Sequence, residues 1–471
     1  MSRYSDHSEI DQVRNAVNLV QIIGEHVQLR PKGREHVGLC PFHPDKNPSL
    51  AVVTHKGSAF YKCHSCGAGG DVFDFIMNYH RMDFPEALKY LANRAGITLT
   101  PRSSFSSDSP ATSKRSEIRK ANALAAEFFR RALRDSPAAQ AHRDIIDQRG
   151  ISQAMAGAFM LGAAVDQWDA LASYITKRNL PVEAFLSAGL LKPGRDGAQP
   201  YDSFRNRIIF PITDELGHPI AFGARKINPE DEPKYLNSAE SAVFSKSRTL
   251  FGLNHAKRTI IDSHAAIIVE GYTDVIACHQ AGFTNVVGTL GTALTADHAA
   301  ILQRLGETVI LVFDGDAAGI RAADRALHVL FSLPIDIRIC VLPDELDPDE
   351  LLKLPDGSAR FAAALDSAGE ALEYRVTRLA HELKSVDGLA ARYNRVKTFL
   401  ADLVEMGFHS LQGSRRTMVL TRLADLLGVP VADIQRDLPR PRRAAPAVSA
   451  SSPSAPVTTS EIDLPVSRAR R

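Results

Sequence analysis

Two short motifs limit what this chain can fold into more than any other feature: CPFH at residues 40–43 and CHSC at residues 63–66, with nineteen residues between them. Each holds two metal-ligating side chains three positions apart, so one tight turn aims both at a single point. Zinc takes four nitrogen or sulfur ligands at the corners of a tetrahedron, and two such turns supply all four. No corner is left for a reactive water, so one structural Zn2+ is expected on Cys40, His43, Cys63 and Cys66. His64 lies inside the second motif and would give a poorer bite. The stretch between should be a small sheet, with residues 34–39, 49–53 and 58–63 as strands and PDKNP and HKGS as turns. Around it Lys32, Arg34, Lys46, Lys56 and Lys62 interleave with Phe42, Phe60 and Tyr61. Either these groups grip single-stranded nucleic acid, phosphate to lysine and base to ring, or the rings are the sheet's own core beneath solvent-facing lysines.

The other two cysteines, Cys278 and Cys340, sit in apolar runs and read as core. Five cysteines in 471 residues make no disulfide scaffold. No apolar run approaches the roughly 20 residues that span a bilayer. The polar N-terminus lacks a secretory core, so a cytoplasmic protein with no membrane partner is expected. A net charge of +2 names no ligand; any nucleic-acid surface has to come from local clustering.

Residues 265–342 alternate apolar, β-branched runs (AAIIV, TNVVG, TVILVF, IDIRICV) with helical stretches. Continuous apolar strands separated by helices mean a parallel sheet covered on both faces. Acids stand where those strands stop: Glu270 and Asp274 in VEGYTD, Asp314 and Asp316 in VFDGDAAG, Asp347 and Asp349 in LDPDELL. Ligands of an open parallel sheet bind beyond the carboxyl ends of its strands, so the six acids should converge. Carboxylates gathered this way repel unless cations sit among them, and oxygen ligands suit Mg2+ or Mn2+. Two or more such ions can serve an in-line displacement at phosphorus. Gly271, Gly315 and Gly319 let the backbone turn beside the acids. Each acid taken singly is also a plausible helix cap. Upstream, Arg205, Arg207, Arg225, Lys226, Lys234, Lys246 and Arg248 form a basic stretch suited to phosphates.

Composition breaks twice. Residues 101–117 are rich in Ser and Pro and read as a linker. From Pro439 the chain has six arginines, two acids and almost no large apolar residues, and reads as a disordered basic tail. Residues 360–438 show helical periodicity and no strand signal.

In this order the motifs resemble a bacterial DnaG-type primase, from about residue 8 to residue 350. CPFHPDKNPS and CHSCGAGGDVFDFI resemble its zinc ribbon; FRNRIIFPI, PKYLNS and FSKSRTLFG the basic part of its RNA polymerase domain; VEGYTD, GTLGTALT, VFDGDAAG and DPDELL its toprim subdomain. The resemblance implies a multidomain α/β protein: a zinc-ribbon DNA-binding domain (1–100), linker (101–117), basic N-terminal part of the polymerase domain (118–260), toprim subdomain (261–350), helical subdomain (351–438) and tail (439–471). It implies primer RNA synthesis from ribonucleoside triphosphates on single-stranded DNA. Glu270, Asp314 and Asp316 would be the main catalytic, metal-binding acids, with Asp274, Asp347 and Asp349 supporting them. Arg149, Arg205, Arg207, Arg225, Lys234 and Lys246 would contact nucleotide or DNA phosphates. A replicative helicase and a single-strand binding protein are partners of such enzymes, but the family's helicase-binding domain is not evident here. Two other readings compete: a toprim nuclease or topoisomerase, which would need a tyrosine nucleophile, and a non-catalytic zinc-ribbon DNA-binding protein.

Overall fold

The computed structural model describes residues 4–80, 84–99, 110–313 and 317–439, together with Met82. Asp314 and Asp316, most of the linker and the tail lie outside the described residues.

The metal-ligand turns belong to a five-stranded antiparallel sheet in sequential order: β1 (Arg30–Lys32), β2 (Glu35–Gly38), β3 (Leu50–Val53), β4 (Phe60–Cys63) and β5 (Gly69–Gly70). Its inner face packs on α1 (Val72–His80), with Tyr61, Phe73 and Phe75 fully buried. A long helix, α2 (Pro110–Asp135), then leads into the central region. It corrects the reading of 101–117 as linker throughout, because 110–117 is helix. Pro110 sits at the first helical position, where its missing N–H costs nothing, and no breaker follows.

The central region holds β6 (Gly162–Ala164), a ribbon of β7 (Leu191–Lys192) with β8 (Tyr201–Asp202), and β9 (Arg207–Thr213), β10 (Pro219–Lys226) and β11 (Tyr235–Asn237). The last three join β6 in the order β11-β10-β9-β6, all antiparallel.

The third sheet is the parallel one expected. It comprises β12 (Ala265–Val269), α3 (Tyr272–Gln280), β13 (Val286–Gly288), α4 (Ala296–Leu305), β14 (Thr308–Phe313), α5 (Ala317–Leu330) and β15 (Asp336–Val341). The order is β13-β12-β14-β15, closed by an antiparallel edge strand β16 (Gly369–Glu370). β16 was not foreseen, since two residues leave no periodic signal. After it come α6 (Ala371–Ser385), α7 (Leu389–Glu405), α8 (Gly413–Leu427) and α9 (Val431–Asp437), a helical unit sharing one core with the sheet. No described helix is long and apolar enough to cross a membrane.

The zinc-ribbon sheet rests on the edge of the parallel sheet where the strands begin. Gln28 N donates to the Arg304 carbonyl (3.0 Å), Gln303 donates to the Asp45 carbonyl (3.2 Å), and Arg30 pairs with Glu307. Glu215, in the turn between β9 and β10, anchors the contact: Tyr79 donates to it (2.7 Å), and His26 Nδ1 lies 3.4 Å away. Burial opposes its charge, yet His26 and Arg304 hold the carboxyl well below the usual range.

Candidate functional site

The first site is local. A tetrahedron with metal–sulfur bonds of about 2.3 Å has edges of about 3.8 Å. Cys40 Sγ and Cys66 Sγ are 3.8 Å apart, Cys63 Sγ and His43 Nδ1 are 3.9 Å apart, and the four ligand atoms lie within 4.8 Å of one another. Ser65 N and Cys66 N donate to Cys63 Sγ, both at 3.3 Å. Burial works against charge on Cys63, but these N–H groups and the Ser49 hydroxyl outweigh it and bring the thiol down to about 6. His43 turns its other nitrogen toward Asp45 (3.8 Å), a usual orienting partner for a metal-bound imidazole. The donors therefore fit zinc, and His64 is not among them. Of the two readings of the rings, the structure supports the core: Tyr61 is fully buried, with Phe42 tilted against it at 5.7 Å and Phe75 edge-on at 5.4 Å. Lys32, Arg34, Lys46, Lys56 and Lys62 are exposed.

The second site is assembled from distant segments. In the order β13-β12-β14 the chain leaves β12 to one side and returns to the other, so a crevice opens beyond the ends of β12 and β14. Glu270 follows β12 directly and is exposed there; Asp314 follows β14 in sequence. A cavity of about 320 Å³ lies at this point, and its lining among the described residues includes Glu270, Asp274 and Asp347 together with Arg149, Arg225 and Lys234.

Asp274 closes the first turn of α3: its carboxylate accepts from Gly271 N at 2.9 Å. A Cβ on Gly271 would meet that oxygen at 2.6 Å, so a larger residue there would have to displace the Asp274 carboxylate from this bond. Burial, then the neighbouring Asp347, push Asp274 up to about 7. Asp347 is also pushed up by burial, while it caps the short helix Pro348–Leu351 by accepting from Glu350 N (2.7 Å). Carboxylates held together against their repulsion are a donor set that fits a divalent cation. Asp349 differs: buried, and absent from the cavity lining, it already pairs with Arg149 (2.6 Å) and Lys353 (2.9 Å).

The basic residues divide. Arg149 is held by Asp349, and Lys234 and Arg225 flank Tyr235, their charged ends 6.0 and 5.7 Å from its ring. One terminal nitrogen of Arg225 is buried without a hydrogen-bond partner among the described residues, and burial lowers its pKa. Arg207 is only 6 % exposed and donates to the Pro233 carbonyl (2.8 Å); it holds a loop and does not face the cavity. Lys246 lies outside the cavity, in a single helical turn fastened by Glu240. Arg205 lies over the Trp168 ring at 4.2 Å, and Trp168 stacks on Tyr201 (4.8 Å, 18°) while remaining 60 % exposed.

That exposed ring-and-guanidinium platform was missed from the sequence, as was the bridge joining the two sheets. Tyr272 donates to Asn237 (2.7 Å), and Asn237 donates to the Leu290 carbonyl (2.8 Å). Tyr272 fits because Gly223 has no Cβ, which would meet its ring at 2.4 Å.

Comparison with known proteins matches three family models in series: CHC2 zinc finger over residues 5–107, DNA primase catalytic core, N-terminal domain, over 128–257, and Toprim domain over 264–341. The DNA primase of Pseudomonas aeruginosa is 36% identical over 431 residues, 90% of this chain and 63% of that protein. The crystal structure of the zinc-binding and RNA polymerase domains of the Aquifex aeolicus primase is 31% identical, with a TM-score of 0.60, over 91% of this chain and 99% of that one. A DnaG primase catalytic domain bound to ssDNA is 30% identical, with a TM-score of 0.59, over 68% of this chain and 99% of that one. The chain spans about three fifths of the length of the first curated relatives it matches.

Proposed function

Because the chain belongs to the DnaG-type DNA primases, we propose that it synthesises short RNA primers on single-stranded DNA, joining ribonucleotides by metal-assisted nucleotidyl transfer. The observation that carries this reading is the cavity at the switch point of the parallel sheet, whose lining brings Glu270, Asp274 and Asp347 together with Arg149, Arg225 and Lys234. Glu270, Asp314 and Asp316, with Asp274 and Asp347 behind them, would hold two Mg2+ or Mn2+ ions, which when bound stabilise charge developing on the transferred phosphate and favour ionisation of the attacking hydroxyl.

The chain's own groups supply the rest. Arg225 offers a buried N–H, unpartnered among the described residues, to a phosphate oxygen of the incoming nucleotide, where low dielectric strengthens the contact. Arg149 is aimed by Asp349, which we read as an orienting acid and not a metal ligand. Asp274, pushed up to about 7, keeps its proton into the neutral range until a cation replaces it. Trp168, Tyr201 and Arg205 present a flat, cationic surface suited to an unpaired base and its phosphate; we assign them to the template, in keeping with the ssDNA-bound relative. Tyr272, which lines the cavity, does not suit a nucleophile: it is buried, its hydroxyl donates to Asn237, and burial pushes its pKa up.

The test is synthesis itself. Purified zinc-loaded protein, single-stranded DNA, Mg2+ and labelled ribonucleotides should yield short RNA, and Asp316→Asn should yield none while still binding DNA. DNA binding without product from the unaltered chain would leave a binding protein and end this reading.

A further inference from the structure

Trp168 is the one tryptophan of the chain, on a loop between β6 and the helix Ala170–Lys177. Three distances fix what surrounds its ring. Tyr201 of β8 stacks on it with centroids 4.8 Å apart, the Arg205 guanidinium lies over it at 4.2 Å, and that guanidinium is 5.7 Å from the Tyr201 ring. Groups on opposite faces of a ring are separated by two contact layers of about 3.5 Å each, roughly 7 Å in all. Tyr201 and Arg205 therefore share one face. The opposite face carries no ring or cation among the described residues, and Trp168 is 60 % exposed.

A large ring on a loop has to be ordered before it can bind, and that ordering costs affinity unless the fold supplies it in advance. Here the fold supplies it through Asp202, the neighbour of Tyr201 in β8. Asp202 N donates to the Trp168 carbonyl at 3.1 Å. Its carboxylate reaches the start of the helix that follows Trp168 and accepts from Leu171 N at 2.7 Å and Ala172 N at 2.9 Å. The first N–H groups of a helix have no partner inside it. Asp169, at the usual capping position, makes no capping bond and accepts instead from the Ser173 hydroxyl at 2.9 Å. Asp202, thirty residues along the chain from Ala172, takes over that role. Its carbonyl also accepts from Arg205. One residue thus ties together the tryptophan, tyrosine and arginine of the platform. At 3 % exposure it is not itself placed to touch DNA.

We propose that Asp202 is a positioning residue for nucleic-acid binding: it holds Trp168 so that the free face of the ring is a preformed seat for one unpaired base of the template. This rests on the reading of the platform given above.

The test uses the zinc-loaded chain and oligothymidylate as the probe, unlabelled for tryptophan emission and labelled for fluorescence anisotropy. Emission from Trp168 should fall as DNA is added. Asp202→Asn keeps the shape but sets an NH2 group against one of the two N–H donors. It should weaken DNA binding about threefold to tenfold, loss of the whole base–ring stack being the upper bound, with zinc content and Mn2+ affinity kept. The Trp168→Ala background separates positioning from a general effect on the fold. There Asp202→Asn should cost less than about twofold, because the ring through which it acts is gone. The amides of Leu171 and Ala172 give a reading without any variant, should Asp202→Asn not fold: hydrogen exchange in the unaltered chain should find both protected before DNA is added. Undiminished DNA binding by folded Asp202→Asn, equal losses in the two backgrounds, or amides protected only once DNA is bound would overturn the positioning role. DNA binding by the unaltered chain with no change in Trp168 emission would overturn instead the template reading of the platform, and this proposal with it.

Discussion

The zinc knuckles and the acidic edge stand at opposite ends of the same sheet and are built on opposite plans. The four zinc ligands come from within residues 40–66, on one small sheet that docks where the parallel strands begin. The acidic edge lies where those strands end, across β14, six residues or roughly 20 Å long. It gathers groups from Arg149 to Asp347, and only the fold brings them together. In the second knuckle N–H groups favour charge on Cys63 before any metal arrives, while in the first burial pushes the Cys40 thiol well up. At the edge, burial and like charge work against ionisation of Asp274 and Asp347. The zinc-ligand set is therefore closed on itself, whereas the gathered carboxylates stand against their own repulsion, which a cation would relieve.

The largest effect should come from breaking the first plan alone. Cys63→Ser removes a ligand from a site whose zinc binding, about 10–16 kcal/mol in zinc-finger peptides, is folding energy. Residues 35–70 should become protease-sensitive, while Mn2+ binding at the acidic edge persists; loss of both would mean that the two regions are one unit. Next, Glu270→Gln should lower primer synthesis at least about 10³-fold, the order expected when a transition-state electrostatic contact is lost, with zinc content and ssDNA affinity kept. A matching loss of ssDNA affinity would make Glu270 structural. Trp168→Ala should weaken ssDNA binding about tenfold, within the ~1–3 kcal/mol of a base–ring stack, and leave Mn2+ affinity unchanged. An unaltered template affinity, measured by fluorescence anisotropy, would remove the platform from the track.

The smallest effect is the sharpest, because its sign differs between the regions. His26 and His80, at the zinc-ribbon contact, are pushed down by burial, His80 to about 3. Their contribution to stability is present above their ordinary value and lost as pH falls from about 6.5 toward 3. Asp274 is pushed up from 3.8 to about 7, so without metal its contribution is best at low pH and is lost as pH rises through that range. Hydrogen exchange corrected for intrinsic rates should show residues 20–27 and 72–80 loosening from pH 7 to 5. The ends of β12 and α3 should loosen from pH 5 to 7, and Mg2+ should cancel the second change only. The same sign in both regions would refute the contrast.

The same difference decides what the sequence could reveal. The zinc ligands were legible because spacing alone states the geometry, and the sheet strands fell where the turns between the motifs required. Acids after apolar strands were legible through a rule of parallel-sheet topology, but their individual partners were not. Asp349 and Arg149 are two hundred residues apart in the chain, and nothing local says that they pair. Trp168 and Tyr201 carry no periodic signal and meet only when β8 is laid beside the start of α-helical residues 170–177. Arg207 looked as available as Arg205, because sequence does not tell a strand's buried face from its exposed end. Helix 110–117 was obscured by Ser and Pro that suit a helix start as well as a loop.

The most direct test of this account is a metal inventory of the 471-residue chain. Zinc and bound Mn2+ would be counted together in the unaltered protein and in Glu270→Gln. The account predicts one tightly held zinc in both, with two Mn2+ ions in the first and markedly weaker Mn2+ binding in the second. No Mn2+ in the unaltered protein, or zinc lost along with Mn2+ in Glu270→Gln, would contradict it.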